Sequence, residues 1–475
     1  MAAFRAGDAA AGLRVIEAAR ARHPGEARLW HASGLLHRAV HDHEAALACC
    51  ARAAMLLPHD FGVAHLHARV SLEAGLPAAA LYERTLRIER RDNALLGFVE
   101  AVLAEHGPAP AIRLLDDFLG GDPGWIPGHA YLSRLRYIAG DRDRLTESFE
   151  RALAQRSDDI FMWCELITTL MGAERFEDAL AAVGRARAAA GPHETFDADE
   201  AICLDELGEH ERAEQLFAPL AGNGDIGLIV RRLRNLLRLG RPHEAGALAE
   251  ASLAADEAGL LVPYLSVVWR TTGDPRAAWL EADERLVGVY DLGDQLPDLH
   301  KITNRLRALH SNGAQPLGQS LRGGTQTQGD ILFRIDPEIQ ALRAVLIETM
   351  ARHLAQLPPA DPGHPTLKRQ RTGPPRLAGS WSVRLTDGGH HANHIHPEGW
   401  FSSAFYLVVP AGAADHAGWL KLGEPCTGLG IELPPTRLVE PKPGRFVLFP
   451  STMWHGTIPF PSGERLTVSV DFAPH

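Results

Sequence analysis

The chain has 475 residues, 45% of them hydrophobic and 23% charged, with a formal charge of −11. That is a soluble globular composition with apolar material for more than one domain. The acidic balance argues against a nucleic-acid partner, since such proteins carry a basic face; Lys368-Arg369-Gln370-Arg371 reads as a solvated loop. Met1 to Arg20 lacks a signal-type apolar core. No apolar run reaches the roughly 18 residues of a membrane span. The five cysteines (Cys49, Cys50, Cys164, Cys203 and Cys426) fit neither a zinc motif nor a disulfide framework. A cytoplasmic protein without membrane contact is expected.

The first part of the chain, through about residue 290, is rich in Ala, Leu, Arg and Glu and reads as successive helices. A period of about 34 residues is visible. From Ala27, the residues Trp30, Gly34, Ala46, Ala53 and Pro58 stand at the diagnostic positions of a tetratricopeptide repeat. A second clear copy starts at Ile160, with Trp163, Ala179 and Ala186. Looser copies cover 61–92, 128–159, 194–224 and 227–256, and 259–291 reads as a last repeat or cap. Small residues at fixed places let the paired helices approach, and each unit stacks on the next. Gly222-Asn223-Gly224-Asp225-Ile226-Gly227 fits G-x-G-x-x-G, but it follows a helical stretch and no βαβ pattern surrounds it. It reads as a turn between helices rather than a dinucleotide site.

Near Asp291 the texture changes, which places a second domain at 291–475. Ile339–Leu357 predicts an amphipathic helix, started by Asp336-Pro337. Pro358–Pro375 reads as a loop. Runs at Trp381–Leu385, Phe401–Val409, Gly418–Leu422, Arg445–Phe449 and Leu466–Phe472 read as short strands of an antiparallel sandwich or barrel. Ser320–Thr327 is open between a lid and a turn.

The chemistry concentrates in His394-Ile395-His396-Pro397-Glu398, His455 and Arg465. Residues two apart on a strand face the same side, so His394 and His396, or His396 and Glu398, can reach one metal. His455 would come opposite on a neighbouring strand. Imidazole serves iron, zinc and copper alike, so residue type alone does not name the ion. Arg465 and Thr467 share a face, and a guanidinium fork beside a hydroxyl suits a carboxylate. Any one of the 24 histidines is more readily a surface or core residue than a ligand; the combination carries the argument. His390 and His391 read as loop residues, and Trp400, Trp454 and Phe472 as core aromatics.

These segments, with Gln319–Thr327, Ser402–Leu407 and Phe449–Ser451, resemble the Fe(II)/2-oxoglutarate-dependent oxygenases, and more narrowly a bacterial group preceded by tetratricopeptide repeats. The resemblance covers roughly residues 300–475. It implies a double-stranded β-helix, or jelly roll, behind a tetratricopeptide α-solenoid, a multidomain α + β chain. It implies that His394 and His455 hold Fe(II), that Arg465 and Thr467 bind the distal carboxylate of 2-oxoglutarate, and that Tyr406 lies near that cosubstrate. The usual third ligand is an acid in H-x-D/E form; here that place holds His396, the preferred third ligand, with Glu398 as rival. The implied reaction oxidises a substrate C–H bond with O2 while 2-oxoglutarate becomes succinate and CO2. The repeats suggest a peptide or protein substrate bound on their concave face. The alternatives are a non-catalytic repeat scaffold with a degenerate oxygenase domain, and a three-histidine dioxygenase independent of 2-oxoglutarate.

Overall fold

The computed structural model describes residues 9–220, 224–310, 315–371, 373–397, 399–410 and 416–474. Contacts divide the chain into two compact units: residues 1–118 with 327–344, and residues 119–326 with 345–475. The expected division at 290/291 follows neither boundary. It also cuts a strand, because Gly288–Asp291 already belongs to the β-sheet.

In the first unit the helices come in consecutive pairs. Ala27–Ala39 packs on His43–Leu56, and Phe61–Glu73 on Ala79–Ile88. The first helix of each pair opens on an acidic N-cap: Glu26 accepts from the Arg28 N–H at 3.3 Å and Asp60 from the Val63 N–H at 2.9 Å. Gly34 is small by necessity, since a Cβ there would stand 2.7 Å from Cys50 Sγ. Asp92–His106 is a further helix, where no repeat was expected.

The second unit continues the pairs with Ile126–Ile138 and Glu147–Leu153, Ile160–Gly172 and Phe176–Ala190, Glu194–Glu206 and His210–Leu220, Ile226–Arg238 and Pro242–Ser252, and Val262–Thr272 and Arg276–Glu281. Trp163 donates to the Ser157 carbonyl at 2.9 Å, as Trp30 does to Pro24 at 2.9 Å in the first unit. The same residue type thus anchors the same turn in both clear copies. Of the glycine-rich G-x-G-x-x-G segment, Gly222 and Asn223 lie outside the described residues; Gly224 onward is a turn running into helix Ile226–Arg238.

The strands are β1 (Gly288–Asp291), β2 (Leu321–Gln326), β3 (Arg376–His391), β4 (Phe401–Val408), β5 (Leu420–Leu422), β6 (Arg437–Val439), β7 (Arg445–Pro450), β8 (His455–Thr457) and β9 (Arg465–Ala473). They form a six-stranded sheet ordered β1-β7-β4-β9-β3-β2 and a three-stranded sheet ordered β6-β5-β8, with every pair antiparallel. An isolated bridge between His394 and His455 extends the smaller sheet beyond β8. Counting that bridge, the chain passes from the large sheet to the small one and back repeatedly. The fold is therefore an α-solenoid followed by a double-sheet β-domain.

Ser320–Thr327 is neither lid nor turn: most of it is β2, the edge partner of β3. His390 and His391 close β3 rather than sit in a loop. The expected helix at 339–357 is Pro337–Gln356. Among the described residues no helix is long and apolar enough to cross a membrane.

Candidate metal centre

Strand β9 lays out one wall of the site. Leu466, Val468, Val470 and Phe472 point to one side and are fully buried. Arg465, Thr467, Ser469 and Asp471 share the opposite face, by the alternation of a strand. Thr467 is flanked in register by Tyr406 of β4 and Val383 of β3. The facing wall comes from the His394–His455 bridge. The His394 N–H donates to the His455 carbonyl at 2.9 Å and the His455 N–H donates back at 3.0 Å. His396 follows on the same stretch, its N–H donating to the Ser451 carbonyl at 3.0 Å.

These elements bring His394, His396 and His455 together. One ring nitrogen from each lies within 4.8 Å of the others, a spacing at which a single ion could be held. The ring centroids are 4.2 Å apart for His394 and His455, 4.9 Å for His394 and His396, and 5.0 Å for His396 and His455. The outer nitrogens are all engaged. His394 Nδ1 lies 2.9 Å from the Ala392 carbonyl and His455 Nδ1 3.0 Å from the Met453 carbonyl. A carbonyl only accepts, so each Nδ1 carries the proton and each Nε2 keeps its lone pair. His396 Nδ1 lies 2.7 Å from Asp471 Oδ2, to which it donates. Burial, reinforced by the neighbouring His396, lowers the His394 pKa to about 3. Burial also holds His455 well below the usual imidazole value. Neutral imidazole is the form that binds metal.

Glycine at 456 is a condition of this geometry. A Cβ there would stand 2.0 Å from Asn393 Oδ1 and 3.0 Å from the His391 carbonyl. Asn393 in turn donates to the Pro425 carbonyl at 2.9 Å, tying the histidine segment to the loop after β5.

Arg465 is 2% exposed, yet no carboxylate pairs with it among the described residues. Its Nη2 reaches the Tyr406 hydroxyl at 3.4 Å, its guanidinium lies 4.9 Å from the Tyr406 ring centre, and its Nε is buried without a partner. Burial raises the Tyr406 pKa, so the hydroxyl stays neutral and offers no counter-charge. A buried cation with open donors and no acid is a receptor for an anion. His391 adds a wall: its ring stacks on His394 at 5.7 Å, and burial lowers its pKa well below the usual value.

Thus the structure groups His394, His396 and His455, and lines Arg465, Thr467 and Tyr406 along the adjoining strands. Glu398, the rival ligand, lies outside the described residues. Trp400, Trp454 and Phe472 are buried. Sequence reasoning missed Asp471, His391 and Trp381, whose ring lies 5.5 Å from that of His396.

The fold and site define a helical-repeat chain joined to a β-domain with a histidine cluster of metal-binding kind. Residues 379–471 match the family model described as "Putative 2OG-Fe(II) oxygenase". The chain therefore couples tetratricopeptide-type helices to a domain of the 2-oxoglutarate/iron oxygenase type. No curated protein matches the chain. Similar solved structures cover the helical part. One is a tetratricopeptide repeat protein from Parabacteroides merdae, 17% identical, covering 46% of this chain and 87% of its own, with a TM-score of 0.29. Yeast Tom70 is 13% identical over 57% of this chain and 60% of its own, with a TM-score of 0.38. A thermophilic repeat protein of Thermus thermophilus is 23% identical over 38% of this chain and 99% of its own, with a TM-score of 0.25.

Proposed function

We propose that the protein is an Fe(II)- and 2-oxoglutarate-dependent dioxygenase that oxidises a C–H bond of a peptide or protein substrate received by the repeats. The observation that supports it most is a pairing: three imidazoles whose ring nitrogens converge, and on the adjoining strand a buried guanidinium with no acid partner among the described residues. The first is a ready donor set, and its chemistry suits an ion of intermediate softness. The second suits the distal carboxylate of a diacid.

In this reading His394, His396 and His455 hold the ion, with Ala392, Met453 and Asp471 fixing the ring planes. Arg465 grips the diacid by two donors, Thr467 adds a hydroxyl on the same face, and the Tyr406 ring caps the guanidinium. The buried walls keep water from the diacid and strengthen each of these contacts. Bound iron supplies the oxygen-activating chemistry, with 2-oxoglutarate and O2 as co-reactants.

The test is spectroscopic. Anaerobic Fe(II) with 2-oxoglutarate is expected to give a weak visible charge-transfer band that His394→Ala and His455→Ala abolish. A wild-type chain with no band refutes the reading. On admission of O2, succinate release separates an enzyme from a scaffold that binds its ligands without turnover.

A further inference from the structure

We infer that Asp471 is a positioning residue that supplies, through His396, the negative charge a carboxylate ligand would otherwise bring to the metal. The inference rests on the proposed iron centre.

Three observations carry it. The Asp471 Oδ2 to His396 Nδ1 distance is 2.7 Å, in the range of charge-assisted hydrogen bonds. Asp471 is bound to nothing else that is charged: among the described residues no lysine or arginine pairs with it, and its Oδ1 is buried without a partner. It stands on the inner face of β9, on the same row as Arg465 and Thr467. A largely enclosed carboxylate without a cation is costly unless something positive stands near it. Among the described residues what faces Asp471 is the His396 ring, and behind that ring lies the place an ion would take.

The charges then balance. A ferrous ion and Arg465 bring three positive charges into a water-poor site. A bound diacid brings two negative ones. With three neutral imidazoles the sum would stay positive; Asp471 brings it to zero. The histidine that replaces the usual acid is thus the one that carries an acid on its far nitrogen. An outer carboxylate also makes the imidazole a stronger donor. The two other imidazoles lean on neutral carbonyls, so the device is specific to His396.

The test compares full-length wild type with Asp471→Asn, which keeps shape and an acceptor oxygen but loses the charge. Metal affinity is measured by competitive titration with Fe(II) and Co(II), and the potential of the iron couple is measured alongside. The Asn variant is expected to bind about 10–100-fold more weakly. Its ferric form should lose more than its ferrous form, and each extra tenfold corresponds to about 59 mV upward for one electron. Should the Asn chain not fold, Asp471→Glu against Asp471→Gln makes the same comparison, differing only in charge. Unchanged affinity and potential in the uncharged variant overturn the inference while leaving the metal centre intact. A wild type that binds no metal overturns the centre itself.

Discussion

Arg465 gives the most exacting test, because function and stability are expected to move in opposite directions. The guanidinium is 2% exposed, with no acid partner among the described residues. Its compensation is the Tyr406 ring at 4.9 Å and one long contact to the Tyr406 hydroxyl at 3.4 Å. Taking such an ion from water costs several kcal/mol even after relaxation. A cation–π contact returns at most about 2 kcal/mol. Arg465→Met keeps most of the aliphatic volume and removes the charge, so the ligand-free protein should become more stable by about 1–3 kcal/mol. A diacid at a hundred times its Kd should stabilise the wild type by about 2.7 kcal/mol and the variant not at all. Thermal melts with and without 2-oxoglutarate, under anaerobic Fe(II), read both effects. The reasoning fails if the variant melts lower than wild type without the diacid, or if it keeps the diacid's shift.

Acid should destabilise the metal-free protein through the same histidines. His394 has a folded pKa of about 3, against 6.5 when free. The unfolded chain therefore binds the proton first; stability is whole above the free value and is lost as pH falls toward the folded one. At pH 5 this costs at most about 2 kcal/mol per such ring. Denaturant titrations from pH 7 to pH 4 check it, and a flat profile refutes neutral burial. Separately, a fragment of residues 291–475 keeps only the last residue of β1 and uncovers Trp454 and Leu429, which pack in one cluster with Leu233, Leu236 and Tyr264. It should melt well below the intact chain, and equal melting temperatures would refute that packing as a source of stability.

The helical pattern was legible where packing is strictest. Trp30 and Gly34 mark the first pair because one needs a carbonyl partner and the other a Cβ-free approach. The repeat that begins with helix Asp92–His106 escaped because Leu95 and Val99 occupy the equivalent places, and both are generic core residues. Among the strands, Phe401–Val408 and Arg465–Ala473 were visible as alternating or apolar runs. β5 lies within the expected run Gly418–Leu422, whereas β6 and β8, of three residues each, are too short to show a period of two. β3 was read too short because Asp387-Gly388-Gly389 looks like a turn; a register shift between Arg322 and Gly324 absorbs the irregularity within the pairing. Asp471 was the costliest omission. The row Arg465-x-Thr467-x-Ser469-x-Asp471 was present in the sequence, and following the strand's own alternation two steps further would have reached it.

The same alternation explains why the metal segment sits against helices. His394 and His396 turn to the cluster of imidazoles, so Ile395 between them must turn away. It packs with the core that holds Ile229, Leu233 and Val268. Trp454, next to His455, does likewise: its Nε1 donates to the Pro263 carbonyl at 2.9 Å, and its ring meets Tyr264 edge to face at 5.6 Å. Each histidine-bearing segment thus shows one face to the imidazole cluster and the other to the helices Ile226–Arg238 and Val262–Thr272. An imidazole cannot shift without moving a neighbour wedged in a close-packed core. The last helix pairs therefore back the imidazole cluster and hold its rings in place.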